Sequence, residues 1–213
     1  MTVPVIIESQ GGELAGDLVV PAQRVGIVVF AHGSGSSRHS RRNRAVAQVL
    51  QRSGFATLLL DLLTEDEEQV DLRTRQLRFD IDLLATRVST AVEQIREQDD
   101  VRGLPVGLFG ASTGAAAALV AAAHDHSIRA VVSRGGRPDL AGAALRRVQA
   151  ATLLIVGSRD VQVLDLNRQA SLQLAAPNRI EVVQGATHLF EEPGALEEVA
   201  RLATGWFHEH VAA

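Results

Sequence analysis

Residues 104–123 read Leu-Pro-Val-Gly-Leu-Phe-Gly-Ala-Ser-Thr-Gly-Ala-Ala-Ala-Ala-Leu-Val-Ala-Ala-Ala, an apolar run that breaks at Gly110-Ala111-Ser112-Thr113-Gly114 and resumes as alanines. Residues 106–109 have the continuous apolar character of a buried strand, and residues 115–123 are dominated by the strongest helix former. The break between them matches G-x-S-x-G, in which a serine sits on a strained strand-to-helix turn with its hydroxyl lifted above a sheet. Glycines at both flanks let strand and helix backbones approach where side chains would collide. The pentapeptide alone is weak; its position between a strand and a helix gives it weight.

Working outward, the 213 residues suffice for one well-buried core, and a single α/β domain over residues 1–213 is expected. Cysteine is absent, which removes disulfides, thiolate metal sites and a cysteine nucleophile. Lysine is absent too: all 21 basic residues are arginine, so neither a Walker phosphate lysine nor a pyridoxal Schiff base is available. The net charge of −4, with acids and bases interspersed, gives no steering field for nucleic acid or an anionic membrane. With no basic-then-apolar leader and no apolar run of spanning length, a cytoplasmic protein without a membrane partner is expected.

Upstream, residues 3–8 and 13–20 flank Gly11-Gly12 as two strands of an antiparallel edge hairpin would. Residues 25–31 read as a continuous apolar strand followed by the polar turn His32-Gly33-Ser34-Gly35-Ser36-Ser37. A helix over 44–52 and a strand over 56–60 ending at Asp61 complete a parallel crossover. The acidic stretch 64–68 leads into a long amphipathic helix in which Leu77, Ile81, Leu84, Val88, Val92 and Ile95 share one face. Beyond the elbow, residues 128–133, 151–156 and 179–183 supply three more strands. A last helix carries Leu196, Val199, Leu202, Ala203, Trp206 and Phe207 on one stripe. Eight strands alternating with about six helices predict a mostly parallel sheet covered on both faces, with reactive groups at the carboxyl ends of its strands.

A serine hydroxyl needs a base to take its proton, and the base needs a third group to fix its tautomer. His188 follows the last strand directly and is the preferred base; His39, in an arginine-rich loop, is its rival. In the order Ser, Asp, His, the acid falls after a strand between the elbow and the histidine. Asp160, three residues beyond Gly157, meets this, and also reads as the N-cap of the following helix. Asp139 is the rival acid, whereas Asp61 precedes the serine and breaks the order. Backbone amides of Thr113 and Ser34 are placed to stabilise an oxyanion. Arg134 is a candidate for binding a substrate carboxylate; pairing of Arg134 and Arg137 with Asp139 or neighbouring acids is the plainer reading.

The segments AHGSGSSRHSRRNR, GASTGAA, SRGGRPDL, LLIVGSRD and GATHLFEEPGAL together resemble the dienelactone hydrolase-like branch of the α/β-hydrolase superfamily over nearly the whole chain. The resemblance implies an eight-stranded sheet with its second strand antiparallel, nucleophile Ser112, acid Asp160, base His188, and oxyanion amides from Ser34 and Thr113. The dienelactone hydrolases so resembled use cysteine, whereas this chain has Ser112, so a serine carboxylesterase acting on a small-molecule ester without cofactor or metal is the safer transfer. Thioesterase, perhydrolase and peptidase chemistry share the machinery, and a non-catalytic ligand-binding member of the fold is the reading from another class. Residues 134–150 leave no room for a lid domain. Similar domains occur fused to phosphoribosyltransferases, but Asp99-Asp100 lacks the preceding apolar strand of a phosphoribosyl-pyrophosphate loop.

Overall fold

The computed structural model describes residues 1–212. Its eight strands are β1 (Thr2–Ser9), β2 (Gly12–Val19), β3 (Gly26–Ala31), β4 (Phe55–Leu60), β5 (Val106–Ala111), β6 (Ile128–Arg134), β7 (Ala151–Gly157) and β8 (Asn178–Val183). They form one sheet in the order β1-β2-β4-β3-β5-β6-β7-β8. β2 is antiparallel to both its neighbours, and every pairing from β4 to β8 is parallel. From β3 the chain passes to β4 on one side, then returns to place β5 on the other. The carboxyl ends of β3 and β5 therefore meet where the winding reverses, which is where open α/β sheets bind ligands.

Six α-helices cover the sheet among the described residues: α1 (Arg41–Arg52), α2 (Glu65–Thr74), α3 (Ile81–Arg96), α4 (Thr113–His124), α5 (Val161–Ser171) and α6 (Ala195–His210). The central strands are apolar at nearly every position because both faces are buried. Alternation along β3 sends Ile27, Val29 and Ala31 into a core beneath α3 and α4, and Val28 and Phe30 into a second core beneath α1 and α6. Every residue from Thr113 to Ala123 in α4 is buried, so this helix is apolar all round. Its alanines let it pack against the sheet with α3 beside it.

The amphipathic stretch expected as one helix is two. Thr64 and Glu67 form a reciprocal capping box that starts α2, and Arg75 ends it in the left-handed region at φ 58°. A 3-10 turn, Leu77–Phe79, follows, and the Asp80 carboxylate then caps α3 through the Leu83 amide at 3.0 Å. Leu77 is thus off the face it was expected to share. Helix α1 starts at Arg41, three residues earlier than expected, because Ser40 accepts the Asn43 amide at 3.3 Å. Between β6 and β7 the chain forms a 3-10 segment, Pro138–Arg147, kinked at Gly142.

Candidate active site

Ser112 stands at the carboxyl end of β5 with φ 51° and ψ −121°, a conformation that costs a non-glycine residue about 1–3 kcal/mol. The surroundings enforce it. The Ser112 amide donates to the Arg134 carbonyl at 3.2 Å, and its own carbonyl accepts from the Ala115 and Arg137 amides, each at 3.1 Å. A Cβ at Gly110 would lie 2.4 Å from Ala115 Cα, and one at Gly114 would lie 2.3 Å from the Ala31 carbonyl oxygen. Both elbow glycines are therefore required by backbone approach, as expected from the motif.

Asp160 and His188 are brought together: Nδ1 of the imidazole lies 2.6 Å from Asp160 Oδ2. An ionised carboxylate only accepts, so Nδ1 carries the hydrogen and Nε2 is left with its lone pair. The two loops are knitted by backbone and side-chain bonds. Arg159 donates its amide to the Ala186 carbonyl at 2.9 Å, and Gly185 donates its amide to Ser158 Oγ at 2.8 Å. Asp160 occupies the backbone N-cap position of α5, yet its side chain makes no capping bond and is committed to the histidine. The histidine side chain is 39% exposed, against 15% for the aspartate, so the base is open to solvent and the acid lies behind it. A Cβ at Gly135 would stand 3.6 Å from His188 Cε1, so the base packs over the turn that follows β6, next to the strand carrying Ser112. No hydrogen bond joins Ser112 Oγ to the imidazole, whose one side-chain partner among the described residues is Asp160.

The two rivals are engaged elsewhere. Arg137 holds Asp139 through two bonds of 2.8 and 2.7 Å. His39 faces Arg44 at 2.7 Å on the exposed side of α1. Asp61 pairs with Arg38, whose amide it also accepts at 2.6 Å.

At the end of β3, His32 is buried and doubly fixed. Nε2 accepts the Leu62 amide at 3.1 Å, so Nδ1 bears the hydrogen and donates to the Gly33 carbonyl at 2.9 Å. Burial drives its pKa below 6.5, with the Gly33 bond and the charges of Asp61 and Glu68 opposing. This clamp orients the turn carrying Ser34. The Ser34 amide, expected to face an oxyanion, donates to Thr113 Oγ1 at 2.9 Å. An oxyanion can use that amide only after the threonine hydroxyl yields it. The Thr113 amide lies at the head of α4, where the first-turn N–H groups have no intrahelical partner. Alongside lies a small cavity of about 70 Å³ between the 33–37 turn, α2 and Thr113, edged by Glu68, Asp71 and Arg78.

Sequence reasoning missed the His32 clamp, though a histidine directly after an apolar strand signals it, and the side-chain role of Thr113, for which there was no signal. The expected pairing with Asp139 or a neighbouring acid holds for Arg137 and not for Arg134. Arg134 is 7% exposed, donates one long bond to Asn43 Oδ1 at 3.3 Å, and lies against the Phe190 ring with Cζ 5.9 Å from the centroid. Unlike Arg137, it has no acid partner among the described residues. Among the described residues no group of three His, Asp or Glu is placed to hold a metal, and no helix is long and apolar enough to cross a membrane.

The alpha/beta hydrolase domain family Abhydrolase_11 matches residues 24–201. A dienelactone hydrolase from Anabaena variabilis is 54% identical over 99% of this chain and 98% of its own, with a TM-score of 0.97. Est1E from Butyrivibrio proteoclasticus shares the fold at a TM-score of 0.82 and 17% identity, covering 99% of each chain. A Mycobacterium tuberculosis protein, provisionally named a phosphoribosyl transferase, is 60% identical over 199 residues. That match spans 93% of this chain but only 44% of the mycobacterial one. The chain belongs to the α/β-hydrolase family and is dienelactone hydrolase-like.

Proposed function

We propose that this α/β hydrolase is a serine esterase that cleaves small carboxylic esters through an acyl-enzyme. The observation that carries the reading is the pairing of a strained elbow serine with a histidine whose Nδ1 is held 2.6 Å from Asp160. Ser112 Oγ attacks the ester carbonyl while His188 Nε2 takes the hydroxyl proton. Asp160 keeps the imidazole in the tautomer that leaves Nε2 free and stabilises the imidazolium. The negative charge that develops on the carbonyl oxygen falls to the Thr113 amide and, once Thr113 Oγ1 releases it, the Ser34 amide. The imidazolium then protonates the departing alcohol, and water activated by the same Nε2 cleaves the acyl-enzyme to release the acid and restore Ser112.

The fold neighbours support hydrolase chemistry, and Est1E has been solved with ferulic acid bound, an aromatic acid of the kind an esterase releases. The transferase name of the mycobacterial relative belongs to a chain of which this one matches 44%. The test is covalent labelling by a fluorophosphonate, which reacts quickly only with an activated serine. Wild-type protein should be labelled and Ser112→Ala should not. Absence of labelling in folded wild-type protein would remove the esterase reading in favour of a binding role.

A further inference from the structure

The carboxyl end of β6 holds a cation with nothing to neutralise it. Arg134 is 7% exposed, and among the described residues no carboxylate lies within salt-bridge distance of its guanidinium. Its Nε is buried without a partner, and its one polar side-chain contact is Asn43 Oδ1 in the first turn of α1, at 3.3 Å. The charge it feels is repulsive: burial first, then the charge of Arg42, lower its pKa to about 10. Arg42 is itself turned outward to Glu191 at 3.0 Å, leaving its own Nε buried and unpartnered. The positive end of the α1 dipole adds to the same field. An unpaired buried charge costs several kcal/mol, and folds rarely keep one without a counter-ion.

Its place is next to the reacting groups. The Arg134 carbonyl receives the Ser112 amide, and its guanidinium lies against Phe190, two residues beyond His188. Phe190 is held at φ 55°, a strained conformation for an aromatic residue, with its ring 1% exposed over the arginine. Strain and an unmatched charge thus coincide at one point beside the base.

We propose that Arg134 and Arg42 form an anion subsite that receives a carboxylate or phosphate carried by the substrate. The inference rests on the esterase reading and narrows it: the preferred esters bear a negative charge displaced from the scissile bond toward α1 and the 188–191 loop. Arg134 offers its unused N–H donors for a charge-assisted bond with the anion, and Arg42 can exchange its exposed Glu191 for the same group.

Two measurements test this. In the first, kcat/KM is compared for p-nitrophenyl hemiglutarate and the neutral, near-isosteric p-nitrophenyl valerate. The charged ester should be preferred, and Arg134→Gln should lower the ratio of the two by roughly 10–100-fold, the worth of one charged hydrogen bond. Arg42→Gln, on a more exposed side chain, should lower it severalfold and serves if Arg134→Gln fails to fold. In the second, Ser112→Ala protein is titrated with glutarate and, separately, inorganic phosphate, following thermal unfolding. Saturable stabilisation that disappears on adding the Arg134→Gln change supports the subsite, and the better of the two anions identifies its chemistry. An unchanged ester ratio without anion binding overturns it, as does an equal loss on both esters, which would make Arg134 a support for Phe190. Anion binding retained by a protein that hydrolyses neither ester would defeat the esterase reading and leave the subsite standing.

Discussion

The hairpin edge of the sheet and the carboxyl end of its interior strand β6 treat a buried arginine in opposite ways. At the hairpin edge, Arg87 on α3 is 1% exposed, but it bonds Glu67 at 2.7 Å and Ser9 as well. Glu67 is in turn the capping residue of α2, accepting the Thr64 amide at 2.9 Å. Nearby, Gln94 of α3 covers the outer edge of β1 by accepting the Glu8 amide at 3.0 Å and donating to the Glu8 carbonyl. This occupies one outward-facing backbone pair of an edge strand that could otherwise template another chain. At the carboxyl end of β6, Arg134 is nearly as buried but has no acid, and its neighbours Ser112 and Phe190 are both strained. The third non-glycine residue at positive φ, Arg75, ends a helix, where that conformation is ordinary. Unmatched charge and backbone strain thus meet at the carboxyl end of β6, whereas the buried arginine at the hairpin edge is paired.

The sharpest way to break this contrast is at Ser112. Ser112→Ala should lower ester turnover by about 10⁴–10⁶ with the far-ultraviolet spectrum unchanged, because the triad acts as a unit. Turnover within tenfold of wild type would show that the strained edge is not the reacting one. Next in size, the isosteric Asp160→Asn should cost about 10⁴ in turnover by losing the tautomer, while Asp139→Asn, whose carboxylate serves Arg137, should cost tenfold or less. The reverse order would transfer the acid to Asp139.

The paired edge should answer in stability instead. Arg87→Met strands Glu67, which is 22% exposed and so partly relieved by water; unfolding free energy should drop by about 2–3 kcal/mol, below the usual cost of breaking a fully buried pair. Activity per folded molecule should stay near wild type, and urea denaturation with an ester assay reads both. The smallest effect is at His32. Burial keeps its folded pKa below 6.5, so the unfolded chain binds a proton that the fold refuses. Stability therefore falls as pH drops through the unfolded value toward the folded one. His32→Gln should flatten that slope in urea titrations. A slope that survives the substitution belongs to another group.

Much of this was legible in the sequence, for physical reasons that particular residues show. Both elbow glycines and the apolar strand before them are local requirements, so the Ser112 turn could be read directly. The order of strands also placed Asp160 and His188 on loops at the same edge. The break between α2 and α3 could not be read from periodicity, because Leu77 lies in helical phase with Ile81 and Leu84. The Asp80 cap immediately before Ile81 was the available sign. Whether an arginine is paired depends on which acids the fold delivers to it. Asp139 lies five residues after Arg134 and two after Arg137, within reach of either, and three dimensions gave it to Arg137. The bond from the Ser34 amide to Thr113 Oγ1 joins residues 79 positions apart and left no trace in either segment.

The conformation of Ser112 has a consequence for any programme that selects this protein for heat tolerance. A residue held at φ 51° and ψ −121° by its neighbours is a standing load on the native state, and glycine would carry that load with less strain. Ser112→Gly should therefore melt above Ser112→Ala, which keeps the Cβ, and a calorimetric scan of the two would reveal it. Breeding for survival on heating, without a demand for turnover, would push the population toward erasing the one side chain on which the proposed chemistry depends.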